Sequence, residues 1–340
     1  MQRFLIGCYT DLDAQGIHVA ELNGDGAHIR ISRSLSLPNP SYLAVSGNKV
    51  YAVNENHTTN DQVSVVHFDP DQLELQTLQT LHCGGSDPCY ISLAGDARHA
   101  FSAHYSDGSW SVFGIDQNGL LTGPVQYFRY SEPGKSSHVH AAVPGPEGDT
   151  LLIADLGLDR VLVYSYDVLN DKMPVADQPL SSVSFQAGTG PRHIIFSPDA
   201  RYAAVCGELN GSLHIFEWDG SSLRLCDMKM LQEPDFNGKN SAAEIHFSAD
   251  GKFIYVSNRG DANQLIVFSF EDGKATLVQR ISSGGRTPRN FAISPDGKYL
   301  LAAHQTTNDI ILFSRDSKTG LLSPAWVKLE VPAPVFLKFI

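Results

Sequence analysis

Residues 190–209 read GPRHIIFSPDARYAAVCGEL, and residues 287–305 read TPRNFAISPDGKYLLAAHQ. Each is a short apolar strand, a turn rich in Pro, Asp and Gly, and a second apolar strand that ends in polar residues. The turn SPDA or SPDG, with Pro second and Gly or Ala last, has the composition of a hairpin turn. Four more segments stack on the same template: NPSYLAVSGNKVYAVNE (39–55), DPCYISLAGDARHAFSAHY (87–105), HVHAAVPGPEGDTLLIADLG (138–157) and SAAEIHFSADGKFIYVSNRG (241–260). A third strand follows each copy and closes on an acid, as in VSVVHFD, VLVYSYD and LIVFSFE. A weaker fourth strand ends the copy, as in LQTLQTL (75–81) or TLVQRIS (276–282).

The copies start at residues 40, 88, 138, 191, 242 and 288. A period near 50 with four short strands per copy is the pattern of a β-propeller. The chain ends complete the count. APVFLKFI (333–340) is a first strand with nothing after it, and RFLIGCYT (3–10) is a second strand with nothing before it. IHVAEL and HIRISRSL supply the third and fourth strands. The expected fold is therefore all-β: a seven-bladed β-propeller of four-stranded antiparallel blades. Residues 334–340 pair with 3–9 to close the ring, which leaves no free sheet edge where the blade closes. Residues 1–340 form one domain in this reading. Two β-sandwich domains are the weaker alternative, because unrelated domains would not share one template.

Composition agrees with a folded chain. The 340 residues are 42% hydrophobic and 18% charged, without biased tracts. A net charge of −12 argues against a nucleic-acid or polybasic membrane surface. No apolar run reaches the roughly 18 residues that span a bilayer. The start, MQRFLIGCYTD, has neither an apolar leader core nor a cleavage site, so a cytoplasmic protein is expected. The five cysteines are odd in number and include no C-x-x-C pair, which reads as reduced, buried thiols.

In a propeller blade the first strand is innermost and the second runs back beside it. Residues just before strand one and just after strand two therefore share one face near the channel. His138, His140, Arg192, His193, Glu244, His246, Arg289 and Asn290 hold the first kind of place. Asn54, Glu55, His104, Tyr105, Asp155, Asp159, Arg160, Glu208, Asn210, Asn258, Arg259, His304 and Gln305 hold the second. Loop ends built for solubility would favour Lys, Glu and Ser rather than Arg and His. Bland readings compete at several places. Asp155, Asp159 and Arg160 can pair across a turn, and His246 can be a packed core histidine. His138 and His140 alternate on a strand and so point the same way, but no dense carboxylate or cysteine cluster joins them as a metal site would require. Arg192 needs a partner for its charge, and Glu208, at the end of the same blade's second strand, is the natural one. The loop GTGPRH leads into no helix and is not a phosphate loop. No G-x-S-x-G nucleophile elbow occurs.

Taken in order, HVH (138–140), DLGLDRV (155–161), GPRH (190–193), ELN (208–210), AAEIH (242–246), SNRG (257–260), PRNF (288–291) and Gln305 resemble the seven-bladed propeller lactonases. This is the family of the cycloisomerase-2-like bacterial 6-phosphogluconolactonases, related to the carboxy-muconate cyclases. The resemblance runs the full length. It implies a channel-mouth His, Arg and Glu that work without a metal or other cofactor, and by position these are His140, Arg192, Glu208 and Arg259. Two segments depart from the family pattern: AHYSDGS (103–109) lacks the usual Asn or Arg before the Tyr, and Val139 stands where many members have Pro.

Opening a lactone needs a positioned water, a base, and positive charge where the carbonyl oxygen becomes an oxyanion. Glu208, His140 or His193 can take the proton. Arg192 can hold the oxyanion, and Arg259 or Arg289 can grip a substrate phosphate or carboxylate bidentately. His138, His193, Asp159, Arg160, Glu244, Arg289 and Gln305 are the expected substrate-binding set. The expected partner is a small anionic lactone, most simply 6-phosphogluconolactone of the oxidative pentose phosphate pathway. A monomer suffices for this. A muconate-type cyclase with the same residues and a non-catalytic propeller that binds a partner are the competing readings.

Overall fold

The computed structural model describes residues 1–11, 14–58 and 61–340. Twenty-eight strands form seven four-stranded antiparallel sheets, the blades of a β-propeller, and the described residues include no helix. Blade one is composite: β28 (Pro334–Phe339), β1 (Gln2–Cys8), β2 (Gly16–Leu22) and β3 (Ile29–Ser36), in that order. The other blades take their strands consecutively. Blade two has β4 (Leu43–Ser46), β5 (Lys49–Asn54), β6 (Gln62–Asp69) and β7 (Glu74–His82), and blade three has β8 (Pro88–Leu93), β9 (His99–His104), β10 (Ser109–Ile115) and β11 (Leu121–Arg129). Blade four has β12 (Val139–Pro144), β13 (Thr150–Asp155), β14 (Arg160–Ser165) and β15 (Ser181–Ser184), and blade five has β16 (Pro191–Phe196), β17 (Tyr202–Gly207), β18 (Ser212–Trp218) and β19 (Leu223–Met230). Blade six has β20 (Ala242–Phe247), β21 (Phe253–Asn258), β22 (Gln264–Glu271) and β23 (Lys274–Ser282), and blade seven has β24 (Pro288–Ile293), β25 (Tyr299–His304), β26 (Asp309–Arg315) and β27 (Leu322–Glu330).

The chain divides into two compact units. One comprises Met1–Ser36, Ile195–Trp218 and Arg224–Ile340, and the other comprises Leu37–Ile194 and Asp219–Leu223. In the first unit, the expected closure is present: Phe4 pairs with Phe339, Ile6 with Leu337 and Gly7 with Phe336. The Tyr9 N–H donates to the Ala333 carbonyl at 3.0 Å, and the Ile340 N–H to that of Arg3 at 3.0 Å.

Second strands are largely apolar because both their faces are covered. Every residue of β9, β13, β17 and β21 is buried, whereas the fourth strand β7 is mostly exposed or half-buried. The SPDA, SADG and SPDG turns have a common lock. Ser197, Ser248 and Ser294 each donate to the aspartate two residues on at 2.6 Å, and each hydroxyl accepts the N–H that opens strand two at 3.0 Å. The last residue of each turn is left-handed, with φ of 59° at Ala200, 71° at Gly251 and 69° at Gly297. This is why Gly recurs there and Ala200 carries strain.

Four of the cysteines are buried and Cys226 is exposed, which corrects the expectation that all five lie inside. Burial pushes the thiols of Cys8 and Cys83 up to about 12.

Burial also keeps three imidazoles neutral: desolvation pushes His18, His104 and His214 each down to about 4 from 6.5. Their partners are hydroxyls, which do not demand a cation: Ser34 for His18, Ser102 and Ser109 for His104, and Ser212 for His214. Between pH 6.5 and 4 the unfolded chain protonates these rings and the folded chain does not. Stability from this source is therefore present above pH 6.5 and is lost as pH falls toward 4. Near pH ~5 unfolding takes up roughly three protons on these groups. Urea melts at several pH values read the slope, and His214→Gln should lower it by about one proton. An unchanged slope would contradict the assignment.

Candidate functional site

Strand register sorts the residues at the blade ends. In blades two, three, four, six and seven, the last residue of strand two is Asn54, His104, Asp155, Asn258 or His304, and each is buried. Several of them latch the segment before strand one. Asp155 accepts from Ser137 Oγ at 2.9 Å and from the His138 N–H at 3.1 Å, Asn258 Oδ1 from the Ser241 N–H at 3.0 Å, and Asn54 donates to the Pro38 carbonyl at 2.6 Å. Burial pushes the Asp155 carboxyl up, against the pull of these donors. The next residue along is Glu55, Tyr105, Leu156, Arg259 or Gln305. Its N–H donates to a carbonyl in the segment before strand one, that of Asn39, Asp87, His138, Ser241 or Thr287 in turn; the last four immediately precede the strand, and Asn39 lies four residues before β4. Three of those carbonyl-bearing residues are left-handed, with φ of 39° at Asn39, 55° at Asp87 and 60° at Thr287.

Strand one carries a second device. The pairing of β12 with β13 shifts between Val139 and Ala141, that of β24 with β25 between Pro288 and Asn290, and that of β8 with β9 between Pro88 and Tyr90. His140, Arg289 and Cys89 are the extra residues, and a bulge re-aims the side chain it carries. The simple alternation expected for His138 and His140 is thereby broken. His138 lies just outside β12.

In the unit of residues 37–194 and 219–223, six rings make a continuous wall. His138 stacks flat on Tyr105 at 4.5 Å, and His140 meets Tyr105 edge-on at 5.9 Å and His193 at 5.3 Å. His193 meets Tyr90 at 5.4 Å and Tyr42 at 5.7 Å, and the two tyrosines lie 4.3 Å apart. His138 Nδ1 is 2.7 Å from the Tyr105 carbonyl, which fixes that ring. Arg192 is buried, with Nη1 at 3.1 Å and 3.3 Å from the His193 ring nitrogens. Asp159 and Arg160 hold loops in place. Asp159 accepts from the N–H groups of Gly188 and Gly190 at 2.8 and 2.7 Å, and Arg160 pairs with Glu132 at 3.0 Å and lies over the Tyr130 ring. Arg160 also stands 3.5 Å from Asp155, the pairing across the turn that the sequence allowed.

In the unit of residues 1–36, 195–218 and 224–340, Glu208 and Arg259 form an ion pair at 3.0 Å. Two carbonyls hold the same guanidinium, Ser241 at 3.1 Å and Ala242 at 3.2 Å, so its fork is fixed before any substrate arrives. Glu208 side-chain exposure is 18% and that of Arg259 is 10%, which leaves the carboxylate reachable by a small molecule. Arg289 is half-buried, with its guanidinium 5.4 Å from the centre of the Tyr9 ring. Glu244 is buried; it accepts from Asn290 Nδ2 and from the Ile245 N–H. His246 is 41% exposed at its side chain, edge-on to Phe291, and is no buried core histidine. Gln305 is half-buried after β25.

Among the described residues, no three His, Cys, Asp or Glu side chains are placed to hold a metal ion. Tyr42 and Tyr90, whose rings join the aromatic wall, are not among the residues the sequence singles out. Their signal was the repeat column PSY, PCY, PRH, PRN, in which they align with His193 and Asn290.

Residues 3–339 match the family described as Lactonase, 7-bladed beta-propeller. The chain is 29% identical to the 6-phosphogluconolactonase of Bacillus subtilis, over 98% of this chain and 97% of that protein. It is also 29% identical to the 6-phosphogluconolactonase of Formosa agariphila, over 93% of each. The solved periplasmic gluconolactonase of Pseudomonas aeruginosa superposes with a TM-score of 0.95 at 34% identity, covering 100% of this chain and 99% of that one. The chain belongs to the seven-bladed β-propeller lactonases. It is a lactone-hydrolysing enzyme by family.

Proposed function

We propose that the enzyme hydrolyses 6-phosphogluconolactone to 6-phosphogluconate, in the cytoplasm, as a step of the oxidative pentose phosphate pathway. The carrying observation is the Glu208–Arg259 pair, a reachable carboxylate held by a pre-fixed guanidinium in a lactonase-family chain. The two relatives named 6-phosphogluconolactonase support the phosphorylated substrate. Glu208 takes a proton from water as its oxygen adds to the lactone carbonyl. Arg192 stabilises the resulting oxyanion, since a guanidinium stays charged and offers several donors. Collapse breaks the bond to the ring oxygen, which receives the proton. Arg259 holds Glu208 in place, and His140 orients the carbonyl end of the substrate. His138, His193, Asp159, Arg160, Glu244 and Gln305 complete the substrate-binding set.

Arg289 is the proposed phosphate clamp, because its fork is half-open and steadied by the Tyr9 ring. Arg289→Ala should raise KM for 6-phosphogluconolactone by roughly 10–100-fold, the range for a lost charge-assisted contact. KM for plain glucono-δ-lactone should hardly move. Steady-state hydrolysis of both lactones by the wild type and this variant tests the function and the clamp together. Equal losses on both substrates would remove the clamp role. A wild type that prefers plain gluconolactone would move the substrate, and with it the pathway and compartment.

A further inference from the structure

Asn290 is buried, and both ends of its amide are used. Nδ2 donates to a Glu244 carboxylate oxygen on β20, and Oδ1 accepts from the Leu337 N–H on β28 at 2.9 Å. One side chain on β24 therefore ties together the first strands of blades six, seven and one. A carboxylate on one side and an N–H on the other call for a donor and an acceptor side by side, which an amide supplies. The Glu244 anchor is itself fixed. Its N–H donates to Ser257 Oγ at 3.0 Å, and its carboxylate also accepts from the Ile245 N–H at 3.1 Å.

Arg289, the preceding residue, is the extra residue where the pairing of β24 with β25 shifts, so strand pairing does not aim it. Its guanidinium lies 5.4 Å from the centre of the Tyr9 ring. Tyr9 follows β1 and packs with Ala333 and Val335, and its N–H donates to the Ala333 carbonyl at 3.0 Å. Tyr9 and Leu337 thus belong to the same composite blade. The Asn290–Leu337 bond sets how β24 lies against that blade, and so where the Arg289 guanidinium meets the Tyr9 ring. We infer that Asn290 is a positioning residue: it seats Arg289 against Tyr9 and thereby sets the preference for a phosphorylated lactone. The inference rests on the reading of Arg289 as the phosphate clamp. A fork held in place before the phosphate arrives loses less freedom on binding than one free to swing. The gain falls on the substrate that carries the phosphate, although Asn290 itself does not touch it.

The test is a double-substitution cycle on the full-length protein. Its readout is the preference, kcat/KM for 6-phosphogluconolactone divided by kcat/KM for glucono-δ-lactone. Asn290→Ala should lower the preference roughly tenfold in the wild-type background, the scale of coupling between neighbouring residues. In the Arg289→Ala background it should lower it hardly at all, because the group it acts through is gone. Melting temperatures, measured beside the kinetics, read the structural share of the loss, which is the same in both backgrounds. A second measurement depends on no variant folding. Inorganic phosphate should inhibit glucono-δ-lactone hydrolysis by the wild type competitively, and it should shift the side-chain amide resonances of Asn290. An unchanged preference in Asn290→Ala, an equal loss in the two backgrounds, or inhibiting phosphate that leaves the Asn290 resonances in place would overturn the positioning role while the lactonase reading stands. A wild type without the preference, or one that phosphate does not inhibit, would overturn the clamp and with it this inference.

Discussion

Glu208→Gln should leave the fold and most substrate affinity in place and lower kcat by about 10²–10⁴-fold, the usual contribution of a general base. The substitution keeps the shape of the side chain and an oxygen that can still accept from Arg259, now 3.0 Å from the carboxylate. It removes only the ability to take a proton. Arg259 stays anchored by the Ser241 and Ala242 carbonyls, so the guanidinium should not wander when its partner changes. The variant thus separates proton transfer from positioning. A fall in kcat with little change in KM is the mark of an interaction made in the transition state. Melting temperature, measured beside the kinetics, checks that the fold is unchanged. Wild-type kcat in this variant would take Glu208 out of the mechanism and move the base to His140 or His193. Those two rings touch within the aromatic wall, so single and double glutamine substitutions there would be the next measurement.

Much of the architecture could be read from the chain because each blade repeats one local rule. A Pro-led first strand, a Ser-Pro-Asp lock and a fully covered second strand recur often enough to align by eye, and the half-blades at the ends fix the closure. What the repeat hides is register. The polar residues after strand two looked like one group. Hydrogen bonding splits them into buried latches, such as Asn54, Asp155 and Asn258, and the residue that follows, such as Tyr105 or Arg259. A single-residue bulge at His140 or Arg289 has no compositional mark, so the direction of these side chains could not be read from alternation. Arg259 is a full repeat away from Glu208, and a pairing of that kind depends on how adjacent blades are stacked. Asp159 and Arg160 illustrate the reverse case. Their spacing allows site chemistry or a turn; Asp159 accepts from the Gly188 and Gly190 amides, and Arg160 pairs with Glu132 and stands beside Asp155 across the turn.

Deleting residues 333–340 should abolish cooperative folding at ordinary temperatures. The segment supplies β28, the first strand of blade one, and its partner β1 would become an open edge. Val335, Phe336 and Leu337 are buried, and burying an apolar side chain of this size contributes about 1.5–3 kcal/mol. Three of them amount to roughly 5–9 kcal/mol, which is comparable to the whole stability of a typical domain at about 5–15 kcal/mol. The backbone losses add to this. The N–H groups of Tyr9 and Ile340 are among those that join the two chain ends, and the Leu337 N–H also donates to Asn290 at 2.9 Å, which ties β28 to blade seven. An exposed β1, with Phe4, Leu5 and Ile6 no longer covered, is also a template for edge-to-edge aggregation. Circular dichroism melts and size exclusion of the truncated chain give the reading. The expected result is a lost or strongly lowered transition with soluble aggregates. A graded control is Phe336→Ala, which should cost about 3–5 kcal/mol and leave a folded, less stable enzyme. If the truncated chain melts like the full one, the pairing of the two ends is not what holds blade one together.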